Sequence, residues 1–497
     1  MFSATELVIT GATMELDWLL APPLPDNMPQ QRVIYHRLRN AIASGQLPPN
    51  MQLPSSRSLA ATLHVARNSI LYAYEQLIAE GCLVADRQGT RVAPFLVSST
   101  ELTSRNATPS VPLQLSTRAS ALELGEERGS AALPFTPGEP DYGAFPFRRW
   151  RTCLERVWSE VSRGHLTYAS QGGDSVLRQA IASYLGTARG LSIDPTQVVI
   201  TSGTQSALSL CAQLLADYGD TVWVENPGYF AARVVCVLAG LQVHDVSVDS
   251  EGLSPKEDDW CRYSPKLIMI TPSHQYPTGH VMSLTRRLAL IDRARRSRAW
   301  IIEDDYDSEF RRAGSAPPAI FALQPDAPVV YTGTFSKTLY PGLRLGYLIL
   351  PQTIAADFVH LAAQATRTGQ GVEQRALAEF IQRGYYTAHL RRMRLRYAAR
   401  QAALRAALKE GFGQNIVLSG GEAGLHLVMW LPQEIDDKKV VARATELGLG
   451  ARALTSYSRA SAGCNGLVLG YGNLEEGMID ECVRRLVIAV QSTAWSR

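Results

Sequence analysis

The residue with the most chemical potential is Lys337, in the run Tyr331-Thr-Gly-Thr-Phe-Ser-Lys337-Thr-Leu-Tyr-Pro-Gly-Leu-Arg344-Leu-Gly346. It follows an apolar strand-like stretch, sits among the hydroxyls of Thr334 and Ser336, and precedes Arg344 by seven residues. Partial burial beside a cation makes a lysine amine nucleophilic toward a carbonyl. Three earlier clusters supply matching parts. In Val198-Val-Ile-Thr-Ser-Gly203-Thr204-Gln205, a strand turns through Gly203 into a helix whose first amides, with Thr204 and Gln205, suit an anion. Pro227-Gly228-Tyr229 puts an aromatic ring just beyond the strand Val222–Glu225. In Trp300-Ile-Ile-Glu-Asp304-Asp-Tyr306-Asp307, an apolar strand ends in acids and a tyrosine, where open α/β sheets bind ligands. Singly, each pattern is ordinary: a plain turn, a core aromatic, solvated acids, a surface lysine.

Together they provide an amine for a Schiff base, an acid for a ring nitrogen, a stacking ring, and hydroxyls plus a guanidinium for a phosphate. Those are the requirements of pyridoxal 5′-phosphate (PLP). Order and spacing here resemble the fold-type I aminotransferase family from about Leu133 to Gln491. The resemblance implies Lys337 as the Schiff-base lysine, Asp304 at the pyridinium nitrogen, Tyr306 at the ring hydroxyl and Tyr229 stacked on the ring. It assigns the phosphate to Gly203, Thr204, Gln205, Thr334, Ser336 and Arg344, with Tyr168 reaching the neighbouring subunit's phosphate. Two departures stand out. Tyr276 precedes Pro277-Thr278-Gly279 where the family has Asn, and the strand Gly466–Tyr471 carries no carboxylate-binding arginine, leaving Arg452 and Arg459 as nearby candidates.

The elements that must position these groups fall into parts. Helical stretches alternate with short apolar strands up to about Leu350, which predicts a mostly parallel sheet flanked by helices. Beyond it, long helices and a few strands predict a smaller α+β domain. Residues 96–133, rich in Ser, Thr, Glu and Arg with Pro109 and Pro112, read as a linker. The organisation expected is 26–95, linker 96–133, and 134–497. No internal repeat of fixed period is visible.

The segment 26–95 reads as two short helices and a hairpin. Ser55 can cap a helix with Leu59 and Leu63 on one face. His64-Val65-Ala66 makes a turn, and Arg67-Asn68-Ser69 opens a second helix with Ile70, Ala73, Tyr74 and Leu77 at core spacing. Cys82–Ala93 follows as a hairpin with a polar tip at Asp86–Gly89. This pattern matches a helix-turn-helix, whose second helix offers its first residues to the major groove. Arginine can bridge guanine there and asparagine can read adenine. Charge agrees: the segment holds seven arginines, no lysine and four acids, hence +3, while the remainder balances at 42 basic and 42 acidic residues.

Leu53-Pro-Ser-Ser-Arg57, Arg67-Asn-Ser69 and Tyr74-Glu-Gln-Leu-Ile-Ala-Glu-Gly81 closely resemble the winged helix-turn-helix of the GntR family of bacterial transcription factors. That resemblance implies contacts with a double-stranded DNA operator from Arg57, Arg67, Asn68, Ser69 and the wing at Gly89. The two modules joined by a linker resemble the MocR (GabR-type) regulators, as do Ser273–Gly279 and Glu303–Phe310. The subfamily implies a head-to-tail homodimer and an effector that is an amino compound or PLP itself. A working aminotransferase with an accessory DNA-binding part is the alternative, and a bare dimerisation scaffold is disfavoured by the presence of Lys337, Asp304 and Arg344.

Composition bounds the rest. Among 497 residues 46% are hydrophobic and 19% charged, so a large core is expected and wholesale disorder is excluded. Seven scattered cysteines without a Cys-x-x-Cys pair fit neither a disulfide framework nor a zinc site, and no metal is expected. No secretory signal and no membrane-length apolar run is visible, so the expectation is a cytoplasmic protein without a membrane partner. Residues 1–13 carry no readable pattern, and Met14 is a second candidate start.

Overall fold

The structure is a computed structural model that describes residues 16–20, 28–94, 114–120, 122, 133–162, 171–311, 317–366, 369–421, 423–459 and 463–494. It separates into two compact units, 1–114 and 115–497.

In the first unit, helix α1 (Gln30–Ala43) packs on α3 (Arg67–Ala79), and α2 (Ser56–Thr62) precedes α3 across a tight turn. Ser55 caps α2 by accepting from the Ser58 amide at 3.1 Å, and His64 turns the chain with φ 53°. Leu59, Ile70, Ala73, Tyr74 and Leu77 meet in the core, as their spacing predicts. The hairpin of β2 (Leu83–Asp86) and β3 (Gly89–Val92) gains a third strand, β1 (Gln52–Leu53), on its β3 side. Two residues are too few for alternation to mark a strand in the sequence. A short 3-10 turn, Asp17–Leu20, adds Leu16 and Leu19 to the same core.

The second unit is built on an eight-stranded sheet ordered β4-β11-β10-β9-β8-β5-β6-β7. The strands are β4 (Val198–Thr201), β5 (Thr221–Asn226), β6 (Gln242–Asp249), β7 (Gly252–Leu253), β8 (Leu267–Ile270), β9 (Trp300–Asp305), β10 (Val329–Thr334) and β11 (Gly346–Ile349). β10, β9, β8, β5 and β6 run parallel, whereas β11 is antiparallel to both β10 and β4, and β7 is antiparallel to β6. With β11 reversed between them, β4 and β10 end at the same edge as β9, β8 and β5. The near-continuous apolar runs of β8 (Leu267-Ile-Met-Ile) and β4 reflect burial on both faces.

Gly346 lets β11 enter this crowded edge. A Cβ there would meet the Gly333 carbonyl oxygen at 3.0 Å and the Gly203 Cα at 3.1 Å. A smaller antiparallel sheet, β12 (Leu418–Ser419), β13 (His426–Trp430), β15 (Gly466–Gly470) and β14 (Arg452–Ala453), packs with the helices Tyr385–Phe412 and Ile479–Ala494. Among the described residues no helix is long and apolar enough to cross a membrane.

Candidate functional site

The carboxyl edge of the large sheet collects the predicted residues. At its β4 end, Gly203 (φ 90°) caps the helix Thr204–Leu214 and leaves that helix's first amides open. The Arg344 guanidinium lies over this turn: a Cβ on Gly203 would sit 3.7 Å from its Cζ. Arg344 itself is exposed and left-handed (φ 51°), Thr204 is half-buried and Gln205 exposed. Across Gly346, Thr334 ends β10 and its hydroxyl accepts from the Ser336 amide at 3.2 Å. Helix-terminal amides, hydroxyls and one guanidinium are groups that suit an anion.

Strand alternation decides which acid of β9 is available. Glu303 accepts from the amides of Ile320 and Phe321, each at 3.0 Å, with Arg287 at 3.7 Å. Asp305 takes Arg189 at 2.6 Å and the Tyr331 hydroxyl at 2.7 Å. Asp304 faces the other way, into a cavity it shares with Tyr229, Glu225 and Thr271. Among the described residues its Oδ1 is buried without a hydrogen-bond partner. Burial, then Asp305, Asp307 and Glu225, push its carboxyl up to about 8, with Lys337 pulling the other way. Glu225, at the end of β5, accepts from the Thr271 amide and hydroxyl and from Gln275, and burial pushes it up to about 7.

Lys337 is half-buried, and its Nζ donates to the Gly138 carbonyl at 2.9 Å. Gly138 has φ 77°, and a Cβ there would lie 2.6 Å from Nζ, so a side chain at 138 would displace the amine. Three rings follow one another edge to face: Tyr229 to Tyr276 at 6.0 Å and Tyr276 to Tyr306 at 6.0 Å. The Tyr306 hydroxyl lies 3.1 Å from His274 Nδ1, and burial holds its phenol well above the ordinary tyrosine range.

PLP fits these residues on one observation above all: a buried, partnerless carboxyl oxygen on Asp304, which a protonated ring nitrogen would satisfy. Tyr168 lies outside the described residues. Of the arginine candidates, Arg459 borders the site, its amide donating to Asn226 Oδ1 at 3.1 Å, whereas Arg452 pairs with Val468 in the small sheet.

Sequence reasoning missed Gly138, Glu225, Tyr457 and the buried group His274, Asp307 and His426. Tyr457 reaches the Tyr276 hydroxyl at 2.9 Å. The last three place ligand-type atoms within 4.8 Å of one another. Hydrogen bonds account for that cluster: His274 Nδ1 faces Asp307 at 3.0 Å, and His426 Nε2 faces the Pro277 carbonyl at 2.9 Å. The signals available were the runs Ser273–Gly279 and Glu303–Phe310, which hold His274 and Asp307.

In the first unit, Arg57 on α2 and Arg67 and Asn68 in the first turn of α3 are exposed, and Ser69 is half-buried. Arg67 Nε donates to Ser56 Oγ at 3.4 Å, bracing α3 on α2. Gly89 (φ 125°) forms the wing tip, where Gln52 donates to the Gln88 carbonyl at 2.9 Å.

Comparison with known proteins covers both units. Residues 132–459 match the family described as aminotransferase class I and II, and residues 30–92 match bacterial regulatory proteins of the gntR family. A Rhizobium meliloti protein named "Probable rhizopine catabolism regulatory protein MocR" is 34% identical over 93% of each chain. A Corynebacterium glutamicum protein, the HTH-type pyridoxine biosynthesis transcriptional regulator PdxR, is 32% identical over 93% of this chain and 96% of its own. Among solved structures, the Pyrococcus horikoshii kynurenine aminotransferase superposes with a TM-score of 0.68 at 26% identity, over 76% of this chain and 97% of that one. Near-full-length likeness to proteins named as regulators, with both domain types matched in order along this chain, shows that the chain belongs to the MocR/GabR subfamily of GntR-type transcriptional regulators.

Proposed function

We propose that this protein is a cytoplasmic transcriptional regulator that binds a double-stranded DNA operator through residues 26–95. In this reading it senses a small molecule through PLP held in residues 134–497, with 96–133 as the tether and a head-to-tail homodimer as the working form. The observation that carries the reading is likeness along 93% of the chain to proteins named as regulators, including both modules.

When bound, PLP supplies a carbonyl that captures an amine and a ring that withdraws electrons. The chain's own residues do the rest. Asp304 holds a proton at the ring nitrogen, Tyr306 engages the ring hydroxyl, and Tyr229 covers the ring face. Gly203, Thr204, Gln205, Thr334, Ser336 and Arg344 anchor the phosphate, and Tyr168 completes that anchor from the neighbouring subunit. Lys337 would present the amine that holds PLP, whether the effector is an amino compound competing with that amine or PLP itself. An effector alters DNA binding only to the extent that it favours one arrangement of the two modules over another.

Arg67 and Asn68 supply base readout, Arg57, Ser69 and the Gly89 wing backbone contacts. The aminotransferase alternative needs a carboxylate anchor; the strand Gly466–Gly470 carries no arginine, and Arg452 and Arg459 are the nearby candidates. Selection of duplexes from fragmented genomic DNA by the full-length, PLP-loaded protein tests the reading. A recovered sequence that Asn68→Ala no longer retains supports it. A protein that prefers no sequence yet transaminates over many turnovers contradicts it.

A further inference from the structure

One nitrogen of His274 faces three oxygens. Its Nδ1 lies 3.0 and 3.2 Å from the two carboxylate oxygens of Asp307 and 3.1 Å from the Tyr306 hydroxyl. His274 and Asp307 are buried, 1% and 1% exposed. A carboxylate offers only lone pairs, so the proton between Asp307 and His274 belongs to Nδ1. A nitrogen carrying that proton cannot accept from Tyr306. The phenol oxygen therefore accepts or shares the Nδ1 proton, and its own O–H is left to point elsewhere.

The other ring nitrogen is consistent with this: among the described residues Nε2 is buried without a partner, which a lone pair tolerates better than an N–H donor. His426, whose ring centre is 4.9 Å away, spends its Nε2 on the Pro277 carbonyl, and burial pulls it down to about 3, so it brings no charge. His280, from the loop beyond Gly279, is likewise held below the usual histidine range by burial. Around the phenol stand Asp304, Glu225 and the edge of Tyr276. The Tyr276 hydroxyl meets Tyr457.

We propose that His274, locked as an Nδ1–H donor by Asp307, is a positioning residue that turns the Tyr306 hydroxyl into a donor toward the ring oxygen of PLP. The inference rests on the cofactor reading above. A donor at that oxygen favours its anion, so the visible band of the loaded protein titrates at lower pH with the donor than without it.

The test is a pH titration of the visible band of full-length, PLP-loaded wild type, Asp307→Asn, Tyr306→Phe and the double variant. Asn at 307 removes the acceptor-only carboxylate that fixes the proton on Nδ1 and can offer an N–H there instead, so Asp307→Asn raises the midpoint by about one pH unit or more, as Tyr306→Phe does. In the Tyr306→Phe background Asp307→Asn adds nothing. Equal midpoints in wild type and Asp307→Asn overturn the inference, as does full additivity. Should Asp307→Asn not fold, 15N NMR of the histidine-labelled wild type reads the tautomer directly, with His274 assigned by difference from His274→Gln. A proton on Nδ1 supports the inference and a proton on Nε2 overturns it. A wild type with no band that Lys337→Ala removes defeats the cofactor reading itself, and this inference with it.

Discussion

Replacing Asp304 by Asn should stabilise the cofactor-free protein and disable its cofactor site, a trade readable from one buried carboxyl. Asp304 has an Oδ1 with no hydrogen-bond partner among the described residues, and its carboxyl is raised from 3.8 to about 8 by burial and by its acidic neighbours. A carboxyl whose folded pKa lies above its unfolded value costs nothing below about pH 4, and its cost grows with pH until the folded group also ionises. At 1.36 kcal/mol per unit, the penalty is about 2 kcal/mol at pH 5 and about 5 kcal/mol at pH 8. Burying an amide in its place costs ~1–3 kcal/mol at either pH. Asp304→Asn should therefore be near neutral at pH 5 and stabilising by about 2–4 kcal/mol at pH 8. Thermal melts of the cofactor-free protein at both pH values check this, following the large unit by near-ultraviolet circular dichroism. A gain equal at both pH values, or a loss at pH 8, would refute the claim that Asp304 is a strained acid waiting for a cationic partner. The same variant loaded with PLP should lose the stabilisation that PLP confers on the wild type.

Lys337→Ala should remove the visible absorption of the loaded protein while leaving its fold, and an unchanged spectrum would disprove the lysine's assignment. Gly138→Ala forces a Cβ to within 2.6 Å of Lys337 Nζ at φ 77°. It should cost ~1–2 kcal/mol of stability and weaken PLP uptake, measured by melts and by spectrophotometric titration. Arg67→Ala should weaken operator binding by roughly 1–3 kcal/mol if Arg67 reads a base, measured by fluorescence anisotropy. An equal loss on unrelated DNA would make it a phosphate contact instead.

Most of the candidate site was legible because its parts lie beside strand ends, where short runs keep order and spacing. Lys337, Asp304 and Gly203 each follow or close an apolar strand, and strand, turn and helix can be read locally. The resemblance points to Asp304 within Glu303-Asp-Asp305, but the physical distinction among the three acids is one of strand face and shows only in the structure, where Arg189, Tyr331 and the amides of Ile320 and Phe321 occupy the other two. Gly138 escaped notice because it meets Lys337 from 199 residues away. His426 sits on β13, where one histidine among apolar residues reads as core. The reversal of β11 and the two-residue strand β1 carry no periodic signal, since both are set by pairing with distant strands. In the first unit, by contrast, the capping serine, the core spacing of α3 and the polar wing tip are all local, and the reading of those elements matches the structure.

The central claim, a sensor rather than a working enzyme, is tested most directly by the absorption spectrum of the PLP-loaded, full-length protein on its operator while amino compounds are added one at a time. In a sensor one compound, or PLP itself during loading, shifts the band lastingly without turnover and changes operator affinity in the same concentration range. Repeated loss of the band and its restoration by a keto acid, with operator affinity unmoved, would contradict it.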